Sequence, residues 1–193
     1  MDDNQELSRF ISLKGQFLIA MPELGDPNFS KTVTLICEHN ADGALGFIIN
    51  RPHPFVVTEQ IFKEFKMAVH ETVGSAPIYI GGPVQTEEIY ILHGPPFDWR
   101  GTFQITAGLA LSNTIDILEA MASGTGPSKV MMIMGCAGWG PGQLERELKE
   151  NAWLTQVVSE DIIFNTEAED CWEETVRSLG FDPILLCSGS GNA

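Results

Sequence analysis

The chain has 193 residues, 44% of them hydrophobic and 19% charged, with a formal net charge of −15. A chain of this length buries roughly 70% of the surface its unfolded form exposes, enough for one domain with its own core. The charge works against direct nucleic-acid binding, which rests on Lys and Arg neutralising phosphates, and no run of about 18 apolar residues offers a membrane span.

The leader carries Asp2, Asp3 and Glu6 where a secretory signal would be basic, which argues for the cytoplasm. Its four cysteines, Cys37, Cys136, Cys171 and Cys187, are far apart, with no CxxC pair and no histidine at zinc-ligand spacing. Free thiols are expected, with no metal site and no cofactor.

Phe17 to Met21 is an apolar run closed by Pro22, which suits a strand buried on both faces. Thr32 to Cys37 and Ala44 to Ile49 are two further strands. The Asp42-Gly43 turn signal between them predicts a β-hairpin that ends at Asn50-Arg51-Pro52. Thr58 is placed to cap a helix over Glu59 to Met67. Strands follow at Ala76 to Ile80, Ile89 to His93 and Thr102 to Thr106, broken by Gly81-Gly82-Pro83 and Gly94-Pro95-Pro96. Ser112 is a cap for the next helix, which Gly124 ends.

Val130 to Met134 then runs into a glycine-rich turn, Gly135 to Gly142, after which Leu144 and Leu148 recur at helical spacing. A short strand, Asp161 to Phe164, a helix capped by Thr166 and ended by Gly180, and a strand at Pro183 to Leu186 complete the pattern. Residues 1–12 and 188–193 read as flexible ends. From Gln143 to Glu174, ten acidic residues stand against Arg146 and Lys149, a solvated acidic face. Strands outnumber helices without alternating strictly with them, so the class is α+β with a mixed sheet in a single domain over 1–193.

The run Leu18 to Pro52, the GGPV of Gly81 to Val84, Leu92-His93, and Gly135 to Leu154 (GCAGWGPGQLERELKENAWL) together resemble the YqgE/AlgH family of bacterial proteins. The resemblance spans about Leu13 to Cys187. It implies a coiled, partly barrel-like mixed β-sheet with helices packed outside. For function it implies less: the family is uncharacterised biochemically, with one member linked to transcriptional regulation of exopolysaccharide production. The resemblance also implies that the position of Cys136 is most often an aromatic in the family, so a chemistry needing this thiol would not be its common property.

Three chemistries can be set against bland alternatives. Cys136, in a strand-to-helix turn, is a candidate nucleophile, since a helix N-terminus lowers a thiol pKa. The full G-x-C-x-G spacing is absent, however, and a small cysteine filling a tight turn is the simpler reading. Gly138, Trp139 and Gly142 could cradle a small anion, or could be loop geometry with Trp139 as a packing plug. Asn50, Arg51, Gly81, Gly82 and His93 all fall at predicted strand ends, where they could converge with the glycine loop on one pocket. There Arg51 would pair an anion and His93 would titrate, or Arg51 instead salt-bridges an acidic neighbour and His93 is a satisfied core residue.

The reading that follows is a cytoplasmic, non-enzymatic protein acting through a protein partner or a small anionic ligand, with any effect on transcription indirect. The alternatives are a thiol hydrolase at Cys136, a phosphate-ester enzyme at Arg51 and His93, and a redox sensor.

Overall fold

The computed structural model describes residues 11–71 and 73–188, with residues 187 and 188 described by backbone alone. In chain order the strands are β1 Gln16–Ala20, β2 Val33–Asn40, β3 Gly43–Ile48 and β4 Pro52–Val57. Helix α1 Thr58–Glu64 leads to β5 Pro77–Ile80, β6 Val84–His93, β7 Phe103–Gln104 and β8 Ala110–Ser112. Then come α2 Ile115–Ser123, β9 Val130–Trp139, α3 Gln143–Lys149, β10 Trp153–Val157, α4 Glu160–Phe164, α5 Cys171–Ser178 and α6 Pro183–Ser188.

Period-two alternation builds the first half of the sheet. Phe17 and Ile19 of β1 and Val33, Leu35 and Cys37 of β2 face a core closed by Trp172 and Val176 of α5. Leu18, Ala20 and Ile36 point the other way, into a cluster with Leu144 of α3 and Trp153. The β2–β3 hairpin forms with Asn40 opposite Gly43, and Gly43 has φ +132°.

The strands form one mixed sheet in the order β10-β1-β2-β3-β9-β6-β8-β7, with β4 and β5 on a branch from β9. Only β5–β9 is parallel among the described pairings. The sheet curls into a half-barrel within an α+β single domain.

Strand β9 is the hub. One edge pairs with β5 over Met132 to Met134 and with β3 over Ala137 to Trp139, while the other lies along β6. The change of neighbour falls at Gly135, whose φ of +72° places it in the left-handed region that favours glycine. It acts as a bulge. Met131 and Ile133 face the first core, and after Gly135 so does Cys136, a shift of one in the alternation.

Several expected elements therefore change. The glycine-rich turn shrinks to the residues between Trp139 and α3, because β3 supplies a pairing edge that keeps the chain extended past Gly135. Asp161 to Phe164 and Pro183 to Leu186 are helical, not extended. Ser159 Oγ accepts from the Ile162 amide at 3.5 Å, and Asp182 Oδ1 from the Ile184 amide at 2.9 Å, local caps that a reading of short apolar runs overlooks. Ser112 lies within β8, and Thr58 Oγ1 accepts from the Ala76 amide at 3.0 Å instead of capping α1. Helix α5 begins at Cys171, with Asp170 rather than Thr166 before it. Of the ends read as flexible, residues 1–10 and 189–193 lie outside the described residues, while Ser12 Oγ donates to the His39 carbonyl at 2.8 Å. Among the described residues no helix is long and apolar enough to cross a membrane.

Candidate functional site

The central motif is woven into the sheet. Cys136 is 2% exposed and pairs across to Val84; its thiol donates to Gln85 Oε1 at 3.5 Å, and burial pushes its pKa up. Gly138 pairs with Leu45 inside the β3–β9 ladder. Trp139 is buried, and its indole donates to Glu147 Oε2 at 2.9 Å; the Trp153 indole donates to the same oxygen at 2.8 Å. Gly142, at φ +69°, turns the chain into α3. The loop amide of Gly140 donates to Gln143 Oε1 at 3.1 Å, so its donor faces a side chain of the protein itself.

The strand-end residues brace their own neighbourhoods. Asn50 Oδ1 accepts from the Val33 amide at 2.9 Å, its Nδ2 donates to the Lys31 carbonyl at 2.9 Å, and Arg51 Nη1 donates to the Asn28 carbonyl at 2.6 Å. Two of these bonds hold the loop between β1 and β2, and the third holds the first residue of β2. Gly81 donates to Met134 O at 2.7 Å and accepts from the Ile48 amide at 2.8 Å. A Cβ at Gly81 would run into the Gly135 carbonyl, and one at Gly82, with φ +152°, into the Cys136 carbonyl. These glycines let two backbones approach closely.

His93 is fully buried in β6. Its Nδ1 lies 2.7 Å from the Gly94 carbonyl, which can only accept, so Nδ1 carries the hydrogen and Nε2 accepts from Ser112 Oγ at 3.0 Å. Burial lowers its pKa and favours the neutral ring. His93 pairs with Val130 at one end of β9 while Trp139 lies at the other, about 30 Å away at ~3.3 Å per residue. The structure brings Gly81, Gly82 and Cys136 together, with Arg51 joined to them through the Ile80 amide, and leaves His93 and the Gly138 to Gly142 segment apart.

A larger cleft lies away from these residues. A cleft of about 480 Å³ opens where β5 and β9 begin, between the first turn of α1, the end of α2 and the end of α4. Its walls are apolar, built from Phe62, Tyr79, Met121, Met131, Met132 and Phe164, with hydroxyls from Thr58, Ser128 and Thr166. Tyr79 is the one titratable side chain among the described lining residues; burial raises its pKa, and the Glu167 carboxylate adds to this. Such a lining suits burial of an apolar group, with methionines that adapt their shape to it.

None of these residues stands out in the sequence as part of a site; Thr58 and Thr166 read there as helix caps. The cleft gathers positions from Thr58 to Thr166, and it sits at the starts of its parallel strands rather than at the strand ends where glycine and proline draw the eye. The nearest local signal is the run of methionines at 131, 132 and 134.

The AlgH-like family model matches residues 17–184. A UPF0301 protein from Desulforapulum autotrophicum is 51% identical over 181 residues, covering 94% of this chain and 96% of its own. The solution structure of the AlgH protein from Pseudomonas aeruginosa, 39% identical, superposes over 100% of both chains with a TM-score of 0.77. A crystal structure of a Corynebacterium diphtheriae protein, 20% identical, covers 96% of this chain and 95% of its own with a TM-score of 0.72, a likeness of fold.

Proposed function

Since the chain belongs to the AlgH-like family, we propose that it is a cytoplasmic binding protein that holds a protein partner or small ligand in the cleft between α1, α2 and α4. Any effect on transcription passes through that occupant and not through direct contact with DNA. The observation that carries this reading is the cleft lining, apolar with a few hydroxyls and, among the described residues, a single titratable group, Tyr79. It can bury an apolar group, and among its described lining residues there is no general acid or base poised near neutral pH. The net charge of −15 supports indirect action. Less supports the enzyme alternatives: Cys136 is buried with a raised pKa, Arg51 Nη1 donates to the Asn28 carbonyl, and His93 bonds the Gly94 carbonyl and Ser112.

The test uses an apolar fluorescent probe, 1-N-phenylnaphthylamine, against the wild type and a Gly74→Trp variant. Gly74 lies on the cleft wall with nothing within 4 Å of an added Cβ, so a bulky side chain can be placed at the wall without a clash at its Cβ. Saturable probe binding that the variant abolishes supports the reading. Probe binding that ignores the substitution, or retention of the wild type on DNA at physiological salt, overturns it.

A further inference from the structure

The charges beside the cleft are unbalanced. Of the cations beside its walls, Lys63 and Lys129 are already paired, while Lys66 stands next to Met67 of the adjoining surface. Lys63 bonds Glu59 at 2.7 Å, one turn along α1, and Lys129, next to the lining Ser128, bonds Glu160 at 2.9 Å. Glu167 follows the lining Thr166 and acts electrostatically on the Tyr79 hydroxyl inside the cleft. Glu71 lines a second concavity of about 400 Å³, together with Lys63 and His70, that shares Phe62, Val73 and Gly74 with the cleft. Neither Glu71 nor Glu167 has an ion-pair partner among the described residues. Beyond Glu167 the acidic face continues through Glu169 and Asp170 to α5, where Glu173 and Glu174 share the single cation Arg177.

An apolar cleft bordered by uncompensated carboxylates selects on two counts. The cleft takes an apolar group, and the rim attracts positive charge while rejecting acidic partners through like-charge repulsion. A neutral small ligand would use the first property and leave the second without a role. The adjoining concavity extends the surface past the end of the cleft, a shape suited to a chain segment with one anchoring side chain and further residues running out beside it.

Building on the binding reading above, we infer that the occupant is a basic peptide segment of a partner protein, which seats a Leu, Met or Phe side chain in the cleft and places flanking Lys or Arg residues against Glu71 and Glu167. The apolar anchor supplies most of the affinity, and the rim supplies association rate and choice of partner.

The experiment is selection of a random 12-residue phage-displayed library on the wild-type protein, with counter-selection on Gly74→Trp. Enriched sequences are expected to combine one large apolar residue with an excess of Lys and Arg within about four positions of it. An enriched peptide, resynthesised and measured by fluorescence anisotropy, should bind about tenfold more weakly to the Glu71→Lys/Glu167→Lys variant. Both positions are exposed, and that variant should bind 1-N-phenylnaphthylamine as the wild type does. Enrichment of neutral or acidic peptides, or equal affinity for the charge-reversed variant, overturns the inference while leaving the binding reading intact. A probe that binds the open cleft where no peptide does points to a small ligand and overturns it equally. If neither probe nor peptide distinguishes the wild type from Gly74→Trp, the binding reading fails with it.

Discussion

Glu147 Oε2 accepts the indole hydrogen of Trp139 at 2.9 Å and, on the same oxygen, that of Trp153 at 2.8 Å. One carboxylate on α3 thus ties the last residue of β9 to the first residue of β10. Phe29 packs edge-on to Trp153 at 5.4 Å and tilted to Trp139 at 6.1 Å. The aromatic centre of the family motif is held as structure, and Glu147 is its keystone. Replacing Glu147 by Ala strands two largely buried donors and should cost about 2 kcal/mol in urea unfolding. Glu147→Gln keeps an acceptor oxygen and should lose less than half of that.

The glycines of the motif separate by position. Gly82→Ala would force a Cβ into the Cys136 carbonyl at φ +152° and should cost about 3 kcal/mol or leave the protein insoluble. Gly138→Ala, exposed and with nothing within 4 Å, should fall within about 0.5 kcal/mol of the wild type by thermal or urea unfolding. Equal tolerance at both sites would contradict the close backbone approach described here.

His93 gives a pH signature of defined sign. Its folded pKa lies below the ordinary 6.5, so the folded state binds fewer protons than the unfolded one. The stability it lends is complete above 6.5 and is lost as pH falls below that value through the folded pKa. Wild-type stability should therefore decline more steeply below pH 6.5 than that of His93→Gln, which is neutral throughout. The measurement is a pair of unfolding series from pH 7.5 to 5, and superimposable slopes would place the proton elsewhere.

Thiol chemistry offers a separate check. Cys136 is buried with its pKa raised, and burial pushes the Cys171 thiol up to about 12. In a Cys187→Ser background, native protein at pH 7.5 should resist Ellman's reagent for minutes and react with all remaining thiols once unfolded. Rapid modification of Cys136 in the folded protein would restore the nucleophile reading.

Much of the first half of the fold was legible because its signals are local. Apolar runs bounded by Pro22 and by the Asp42-Gly43 turn mark β1 to β3, and Gly124 marks the end of α2 with φ +76°. Composition and charge bounded the class, and the motifs from Leu18 to Leu154 carried the family. Other features depend on partners far away in the chain. Whether Gly135 ends a strand or bulges within it is settled by β3, which pairs beyond it. Short apolar segments such as Asp161 to Phe164 suit either helix or strand until capping and packing decide. The cleft is assembled from α1, β5, α2, β9 and α4, so none of its walls is complete in any one stretch of sequence. Periodicity and turn chemistry act over a few residues and were fixed before folding, whereas concavity is a relation among distant segments that exists only once the sheet has curled.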